Sequence, residues 1–515
     1  MRGAIAAGAD STAEAGAEIL RSGGNAVDAA VAACFAVAAG EPTLTSLAGA
    51  GALLFRAGDS GAVTICDFFA NAPGLGPNRP ARLDFSGIEL DFGPARQVFH
   101  VGAGSAAVPG VIPGLCTAHE RWGRLPLEQV VAPACRVLRE GVVLDTWQGR
   151  AVKLLEEILL LTDAGRAQFA PEGHLVGAGD RYRLPALADT LEQLAAGWRD
   201  YYDDVIGGRI VAQFGPEAGG LLSAEDLAAF RVEFRSPLRG DYRGCALHMN
   251  PPPAAGGQMI GLMLALLDGT PSLGPHGGRE ALHTLCRAMR VADEARASGD
   301  GAFDVGRLER WVERFRALEG RPLAAAPPAS PGPGSTTHVS VIDGEGNAAA
   351  VTFSYGEGNG VIIDGTGIMM NNLMGEEDLF PGGFHSWPAG ARLSTMMSPT
   401  LLVTPEGDVT VLGTGGSNRI RTAMTQVISN LVDHDLPVGE AVTAPRVHFE
   451  GGVLNAEVFD AGPRRGVLEG LGANELIVFD EPNLFFGGVH LVRRRADGTL
   501  EGAGDPRRGG TCRVV

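Results

Sequence analysis

The chain has 515 residues, of which 60 are acidic and 42 basic, so its formal net charge is −18. This length exceeds one ordinary hydrophobic core and predicts either one large layered unit or two lobes that share an interface. The negative charge repels phosphate backbones and anionic lipid surfaces, so neither nucleic acid nor a membrane is expected as a partner.

The seven cysteines are scattered, odd in number and never spaced as CxxC. This arrangement argues against a zinc site and a disulfide framework, and it indicates buried thiols in a reducing compartment. The first residues, MRGAIAAGADSTAEAG, contain too short an apolar run for a secretory signal. The most apolar stretch, AVDAAVAACFAVAAG, is short and interrupted by Asp28, which favours a packed helix over a membrane span. We therefore expect a cytoplasmic protein.

The first part of the chain reads as helices with clear starts and stops. Ser11 with Glu14 three residues later predicts a capping box for a first helix, which Gly23 and Gly24 can end. Asn25 predicts the cap of a second, alanine-rich helix. Further helices are predicted at LPALADTLEQLAAGW, SAEDLAAFR and GREALHTLCRAMRVADEARASGD.

From about Thr336 the sequence changes to alternating strands separated by turns. Three antiparallel hairpins are predicted, with the turns DGEGN, PEGD and RADG. Between the two parts lies RPLAAAPPASPGPGS, from Arg321 to Ser335, whose proline and glycine content predicts a mobile, exposed linker that is easy to cut.

A glycine-rich segment, VFHVGAGSAAVPGVIPG, fits the relaxed dinucleotide-binding pattern through Gly102, Gly104 and Ala107. Pro109 and Pro113 interrupt the helix that should cradle a phosphate, so a structural loop is the better interpretation.

No cofactor is expected, because the sequence lacks the spacing of the common metal and nucleophile motifs. The histidines form no HExxH or HxH pair, and no GxSxG is present. The acidic cluster of Glu376, Glu377 and Asp378 lacks the glycine-spaced form of a calcium loop, so no metal site is predicted.

The threonine pair at the start of the first hairpin is the remaining candidate. A hydroxyl is a poor nucleophile at neutral pH and needs a base within hydrogen-bonding distance. A cut between Ser335 and Thr336 would provide one on the same residue, because a free α-amine has a pKa of roughly 7.7 to 8. A threonine at the start of a strand is also often purely structural.

Segments in order along nearly the whole chain carry a resemblance to a known family. They include AEAGAEILRSGGNAVDAAVA, AAVPGVIPGL, GLLSAEDLAAFR, NPPPAAGGQMIGLMLALL, STTHVSVIDGEGNAAAVT, GTGGSNRIRTAMTQVI and GAGDPRRGG. Together they resemble the γ-glutamyltransferase family of N-terminal nucleophile hydrolases.

The resemblance implies a mixed α/β (α+β) fold, a four-layer αββα sandwich of two antiparallel sheets between helical layers. It implies a precursor that cuts itself before Thr336, giving a large piece, 1–335, and a small piece, 336–515, that remain together as one intertwined catalytic heterodimer. Thr336 would attack an amide carbonyl while its α-amine accepts the proton, and the acyl-enzyme would pass to water or an amine.

The resemblance also assigns supporting residues. Gly415 and Gly416 of GTGGSNR match the family's oxyanion-hole glycines, which would equally form a tight turn between strand and helix. Ser354 occupies the position of a second hydroxyl near the nucleophile, and it could also be an ordinary polar strand residue.

The pattern departs from the family where a γ-glutamyl head group would bind. Phe69 stands where the carboxylate-binding arginine belongs. The family's serine pair aligns with Thr395 and Met396, or with Ser394 and Thr395 if the gap is shifted. These changes remove a charge-assisted contact for a carboxylate.

Two further differences lie nearby. Gly356 replaces the family's asparagine and Leu373 its glutamine, while either Glu376 or Glu377 could stand in for its aspartate. We therefore expect an acyl amide hydrolase or transferase with a more apolar pocket.

Two alternatives stay open at this point. One is a standard γ-glutamyltransferase or glutathione hydrolase that recruits another basic residue, with Arg392 or Arg419 as candidates. The other is a processed but inactive binding protein.

Overall fold

The computed structural model describes residues 3–91, 96–298, 305–324, 335–380, 382–459, 462 and 464–515. In these ranges the α-helices are α1 (Asp10–Arg21), α2 (Ala26–Gly40), α3 (Val111–Trp122), α4 (Leu127–Glu140), α5 (Thr146–Leu154), α6 (Glu156–Leu159), α7 (Asp163–Phe169), α8 (Pro185–Asp200), α9 (Gly207–Phe214), α10 (Ala224–Ala229), α11 (Gly256–Asp268), α12 (Arg279–Ala297), α13 (Val305–Ala317), α14 (Arg419–Val432), α15 (Val438–Thr443) and α16 (Arg464–Glu469).

The strands are β1 (Gly3–Ala7), β2 (Ala50–Arg56), β3 (Val63–Phe68), β4 (Ser86–Asp91), β5 (Arg96–Val101), β6 (Val142–Val143), β7 (Arg181–Tyr182), β8 (Glu233–Arg235), β9 (Leu238–Tyr242), β10 (Cys245–Met249), β11 (Thr337–Asp343), β12 (Ala348–Ser354), β13 (Ile362–Ile363), β14 (Ile368–Met369), β15 (Thr400–Val403), β16 (Val409–Gly413), β17 (Val447–Glu450), β18 (Val453–Glu457), β19 (Glu475–Phe479), β20 (His490–Arg494), β21 (Leu500–Ala503) and β22 (Thr511–Val514).

Two antiparallel sheets organise the molecule. The larger has seven strands in the order β22-β1-β11-β12-β2-β3-β8, and the smaller has six in the order β21-β20-β16-β15-β10-β9. In the larger sheet β11 pairs with β1, and β12 pairs with β2. Strands that precede and follow Thr336 in the sequence therefore share one sheet.

The alternation of side chains along the strands builds four layers. On β1, Ala4 and Ala6 pack with residues of the second sheet, such as Val411, whereas Ile5 packs with the helices outside. Helices α1 and α2 cover the outer face of the larger sheet, and α11 and α14 cover that of the smaller one. This arrangement confirms the predicted αββα sandwich.

The first helices confirm one predicted cap and contradict another. Asn25 caps α2, with its side chain accepting hydrogen bonds from the backbone N–H groups of Val27 and Asp28 at 2.9 and 3.0 Å. The capping box at Ser11 is wrong, because α1 begins at Asp10 after an extended Ala9, so Ser11 already lies in the first turn.

The predicted hairpins are confirmed as β11–β12, β15–β16 and β20–β21. The predicted linker lies largely outside the described residues, at 325–334. Of its first residues, Arg321, Pro322 and Ala324 are exposed, whereas Leu323 is 1% exposed and its N–H donates to the carbonyl of Leu471 at 3.0 Å.

The structure also places the cysteines, the glycine-rich segment and the apolar helices that the sequence analysis considered. All seven cysteines are unpaired thiols, and six are buried while Cys512 is half-buried. The glycine-rich segment after β5 forms a 3-10 turn at Ala103–Ser105 and a loop to Gly110, and α3 begins at Val111, so Pro113 lies in the first turn of that helix and does not interrupt it. Within the described ranges, no helix has the length and apolar character needed to cross a bilayer, and no three His, Cys, Asp or Glu residues form a metal-binding group.

Candidate active site

Thr336 stands immediately before β11, at the end of a central strand of the larger sheet. The residue is 5% exposed and lines a cavity of about 390 Å³. Because β11 is flanked by β1 and β12, its backbone hydrogen bonds hold the start of the strand in place. The Ser335–Thr336 peptide bond joins this position to the preceding segment.

The carbonyl of this peptide bond is held by Ser354, at the end of β12. The Ser354 hydroxyl donates a hydrogen bond to the carbonyl oxygen of Ser335, and it accepts one from the backbone N–H of Gly356 at 3.1 Å. The predicted second hydroxyl thus lies next to the predicted cleavage point.

The carbonyl of Thr336 is enclosed by a glycine turn and an arginine. Arg508 Nη1 donates to this oxygen at 3.1 Å. A Cβ on Gly415 would lie 1.9 Å from the same oxygen, so only glycine allows this approach. Gly416 has φ of +124°, a conformation that favours glycine. Both glycines lie in the turn between β16 and α14, as the structural interpretation expects, and their role as an oxyanion hole stays a prediction.

A buried carboxyl lies under the threonine pair. Thr337 donates its hydroxyl hydrogen bond to Glu41, and Thr12 donates to the same carboxyl at 3.2 Å. Burial raises the pKa of Glu41 to about 7, opposed by these two hydroxyl donors. The residue after the candidate nucleophile is therefore anchored by its side chain as well as by the strand.

The histidine of TTH points between the two sheets. The ring nitrogens of His338 contact Thr352 Oγ1 at 2.7 Å and Ser340 Oγ at 2.8 Å. Burial holds the pKa of His338 well below its ordinary value, so the ring is neutral in the folded protein. This polar cluster fixes β11 in its register and does not face the cavity.

The sequence predictions for the acyl pocket converge on the cavity. The residues that line it together with Thr336 and Ser354 include the predicted Phe69, Leu373, Glu376, Ser394, Thr395 and Met396. Other apolar side chains complete the wall, namely Met259, Leu262, Leu379 and Trp387. The cavity is therefore apolar along much of its surface, and the candidate nucleophile Thr336 is part of its lining.

The two candidate carboxylates differ in position. Glu376 lines the cavity, and a Cβ on Gly356 would lie 2.5 Å from its Oε1, so this carboxylate occupies the space that a side chain at 356 would need. Among the described residues that line the cavity, Glu377 does not occur.

The basic residues proposed for a standard head-group site lie elsewhere. Arg392 Nη1 donates to the backbone carbonyl of Phe69 at 2.5 Å. Arg419 Nε donates to the carbonyl of Phe485 at 3.2 Å, and its guanidinium stacks on the ring of Phe485 at 4.6 Å. Neither residue lines the cavity within the described part of the chain.

Sequence reasoning missed Arg296, which does line the cavity. It belongs to the last turn of α12, and its Nη1 donates to Asn418 Oδ1 at 2.7 Å. Trp387 was also missed; its indole N–H donates to the carbonyl of Leu379 at 3.0 Å. No motif marks either residue, because each reaches the cavity only through the folded arrangement of distant elements.

Comparison with known proteins gives consistent results. The chain matches the gamma-glutamyltranspeptidase family over residues 12–515. It is 36% identical to the acylase ACY 1 proenzyme of Pseudomonas sp. strain SE83, covering 96% of this chain and 90% of the relative. It is 31% identical to the glutathione hydrolase proenzyme of Pseudomonas aeruginosa, covering 100% of this chain and 94% of the relative.

Among solved structures, the cephalosporin acylase from Bacillus halodurans superposes with a TM-score of 0.81 at 26% identity, covering 99% of this chain and 95% of that one. The match in sequence and fold extends over essentially the whole chain. The chain therefore belongs to the gamma-glutamyltranspeptidase family of N-terminal nucleophile hydrolases, and it is an enzyme of amide hydrolysis or acyl transfer.

Proposed function

We propose that this enzyme cleaves itself before Thr336 and then hydrolyses or transfers the acyl group of a small amide whose acyl part is largely apolar. The observation that carries this proposal is the composition of the cavity around Thr336, which is lined by Phe69 and Leu373, at positions where the resemblance expects polar groups of a γ-glutamyl site, and by Met396. The similarity to relatives named acylases supports it.

The chemistry after cleavage uses the two groups of one residue. Thr336 Oγ attacks the amide carbonyl, and its α-amine accepts the hydroxyl proton and passes it to the leaving amine. Water or an acceptor amine then attacks the ester carbonyl, which releases the acyl group and returns a proton to Oγ. Backbone N–H groups of the turn at Gly415 and Gly416 would stabilise the tetrahedral oxyanion.

The cavity disfavours a free carboxylate at the Phe69 wall. Burying a carboxylate without a partner against apolar side chains costs several kcal/mol, of order 2–7 for polar groups and more for charges. Arg392, which lies next to Phe69 in the fold, is bound to the carbonyl of Phe69 and to Asp67. A neutral acyl chain fits this wall better than the α-carboxylate of a γ-glutamyl group.

A standard γ-glutamyl activity is the second candidate, and one observation favours it. Arg296 brings a guanidinium to the cavity, and Glu376 brings a carboxylate, so both charges of a zwitterion have a partner of opposite sign among the lining residues. The similarity to a glutathione hydrolase proenzyme is consistent with this candidate.

A hydrolysis screen distinguishes the two. The processed protein is offered 4-nitroanilides of acetic, butyric, hexanoic, glutaric and γ-glutamic acid, with Thr336→Ala as the blank. We expect kcat/KM for the neutral chains to exceed that for γ-glutamyl by about tenfold or more, since one lost charge-assisted contact is worth about 1.5–3 kcal/mol. Brisk turnover of the γ-glutamyl anilide would favour the second candidate.

A further inference from the structure

Ser335 borders two separate cavities. One is the substrate cavity that Thr336 and Ser354 also line. The other has a volume of about 30 Å³ and is bordered by Ser335, Glu357 and Arg508. Because a site of this size holds about one water molecule, the second cavity is too small for an acyl amide. Ser335 therefore has one side that faces a cavity without room for the substrate.

Glu357 is the carboxylate on that side. It is 2% exposed, and its Oε1 accepts a hydrogen bond from the backbone N–H of Ser335 at 2.9 Å. Its own backbone N–H donates to Asn372 Oδ1 at 2.9 Å, which fixes the residue just beyond the end of β12. Glu357 is absent from the described residues that line the substrate cavity. The family resemblance gave it no role.

The two hydrogen bonds to Ser335 act on different peptide planes. The N–H of Ser335 belongs to the plane that precedes its Cα, and its carbonyl belongs to the plane that follows. A peptide unit is rigid, and only the two dihedral angles at Cα join one plane to the next. Glu357 and Ser354, holding one plane each, therefore fix the orientation of the Ser335 carbonyl relative to Thr336.

We propose that Glu357 is the positioning residue for self-cleavage between Ser335 and Thr336, a step that rests on the function proposed above. By fixing the Ser335 N–H, it keeps the carbonyl carbon turned toward the Thr336 hydroxyl. The Arg508 guanidinium lies close enough to interact electrostatically with Glu357, so the buried carboxylate has a balancing charge. Its contribution is to geometry, and it forms no bond to the reacting atoms.

The self-cleavage that Glu357 positions has two steps, transfer of the Ser335 acyl group to the Thr336 hydroxyl and hydrolysis of the resulting ester. Thr336 Oγ forms a bond to the carbonyl carbon of Ser335, the C–N bond breaks, and the hydroxyl proton ends on the nitrogen, which becomes the α-amine. Water then adds its hydroxyl to the ester carbonyl and its proton to Thr336 Oγ. The products are the Ser335 carboxyl and an N-terminal threonine with both its amine and its hydroxyl.

The test follows the conversion of freshly made full-length chain into two fragments, by intact mass at timed intervals. E357Q keeps an oxygen that can accept the Ser335 N–H, whereas E357M has a similar length and no such acceptor. E345A removes a carboxylate from the exposed turn of the same hairpin, where Glu345 contacts Arg124 at 2.5 Å, and it serves as the matched control. Thermal unfolding of each variant checks that it is folded.

We expect E357M to cleave about 10- to 100-fold more slowly than wild type, the effect of one lost charge-assisted hydrogen bond. E357Q should lie within about threefold of wild type, and E345A should equal it. Rescue by Gln distinguishes positioning from a general loss of structure. If E357M does not fold, E357S provides the same comparison, because it removes the acceptor and leaves room for water.

Cleavage of a folded E357M or E357S at the wild-type rate would overturn this proposal alone and leave the proposed function standing. Cleavage of E357Q as slow as that of E357M would also overturn it, because the charge and not the acceptor would then matter. A wild-type chain that stays uncut would overturn both.

Discussion

Two parts of the cavity wall are built in different ways: the nucleophile end, meaning the wall around Thr336, and the acyl end, meaning the wall around Phe69 and Met396. At the nucleophile end, Thr336 is placed by a central strand, and its neighbours Ser354 and Gly415 touch backbone atoms. At the acyl end, Phe69 and Met396 come from loops far apart in the sequence and present only apolar surface. The first end depends on fixed backbone geometry, whereas the second depends on the size and charge of individual side chains.

Under the proposed function, this difference would allow related enzymes to share one catalytic arrangement and differ in substrate. Hydrolysis needs a nucleophile, a base and oxyanion donors in one arrangement. In the proposed mechanism Thr336, at the start of β11 in the larger sheet, provides the first two, and the turn after β16 of the smaller sheet provides the donors. We propose that selectivity resides in the part of the wall that contains Phe69, where an exchange of arginine for phenylalanine would alter the favoured charge without moving Thr336. The relatives named acylases and glutathione hydrolases fit this division.

The largest expected effect comes from removing the nucleophile. T336A should leave one uncut chain of 53.4 kDa and reduce amide turnover by at least about 10³-fold, since loss of a covalent nucleophile leaves only binding and oxyanion stabilisation. T336S keeps the hydroxyl and should still cut itself. Intact mass and anilide hydrolysis measure both properties. Normal cleavage in T336A would place the nucleophile elsewhere.

A smaller but still severe loss is expected for G415A, because the added Cβ would lie 1.9 Å from the Thr336 carbonyl oxygen and displace the nucleophile end. We expect kcat to fall by about 10²- to 10³-fold, the range seen when an oxyanion donor is lost. G439A is the matched control, since a Cβ there meets nothing within 4 Å. Equal activity of the two variants would refute the role assigned to this turn.

The third effect concerns the free energy of unfolding and its dependence on the ionisation of Glu41, the carboxyl under the threonine pair. Burial raises the pKa of Glu41 from 4.5 to about 7, so the folded state favours the protonated form. The resulting stabilisation is complete below pH 4.5 and is lost as the pH rises through about 7. The shift of about 2.5 units corresponds to roughly 3 kcal/mol at about 1.36 kcal/mol per unit.

E41Q cannot ionise and should therefore escape this loss. Measured by urea unfolding in the uncut T336A background, E41Q should gain about 3 kcal/mol relative to its parent between pH 4.5 and pH 8. Other titrating groups are common to both chains and cancel in the difference. Parallel stability curves for the two chains would show that Glu41 titrates normally.

The smallest effect tests the acyl end. F69R should raise the ratio of kcat/KM for γ-glutamyl over butyryl anilide by about tenfold, the value of one weak charge-assisted contact to the α-carboxylate. F459R makes the same exchange at an exposed phenylalanine and should leave the ratio unchanged. A ratio that does not move in F69R would mean that the carboxylate of the substrate does not reach this wall.

Some of the site could be predicted from the sequence because it follows ordered motifs. Phe69, Leu373 and Thr395 were named from their distance to recognisable segments without an alternative at their positions, and all three line the cavity. The caps show the limit of local patterns. Asn25 caps α2 as its spacing predicted, but Ser11 does not cap α1, because that helix starts at Asp10, two residues before the start that a cap at Ser11 requires.

Contacts between distant segments could not be predicted. The sequence suggested Arg392 and Arg419 as the cation that would bind the carboxylate of a γ-glutamyl group. In the fold both donate to backbone carbonyls outside the cavity. The place of Arg296 in the cavity wall could not be predicted. It depends on contact with Asn418, which lies 122 residues further along the chain. Only the packing of α12 against the turn before α14 makes that pair.

The amino-acid sequence by itself determined the family, the alternating strands, and the candidate nucleophile, because periodicity and local motifs are properties of neighbouring residues. The tertiary structure alone decided that Glu376 rather than Glu377 lines the cavity, and that Glu357 holds Ser335. The reason is physical: burial and the directions of side chains depend on how two sheets and their helices pack, which no short segment encodes.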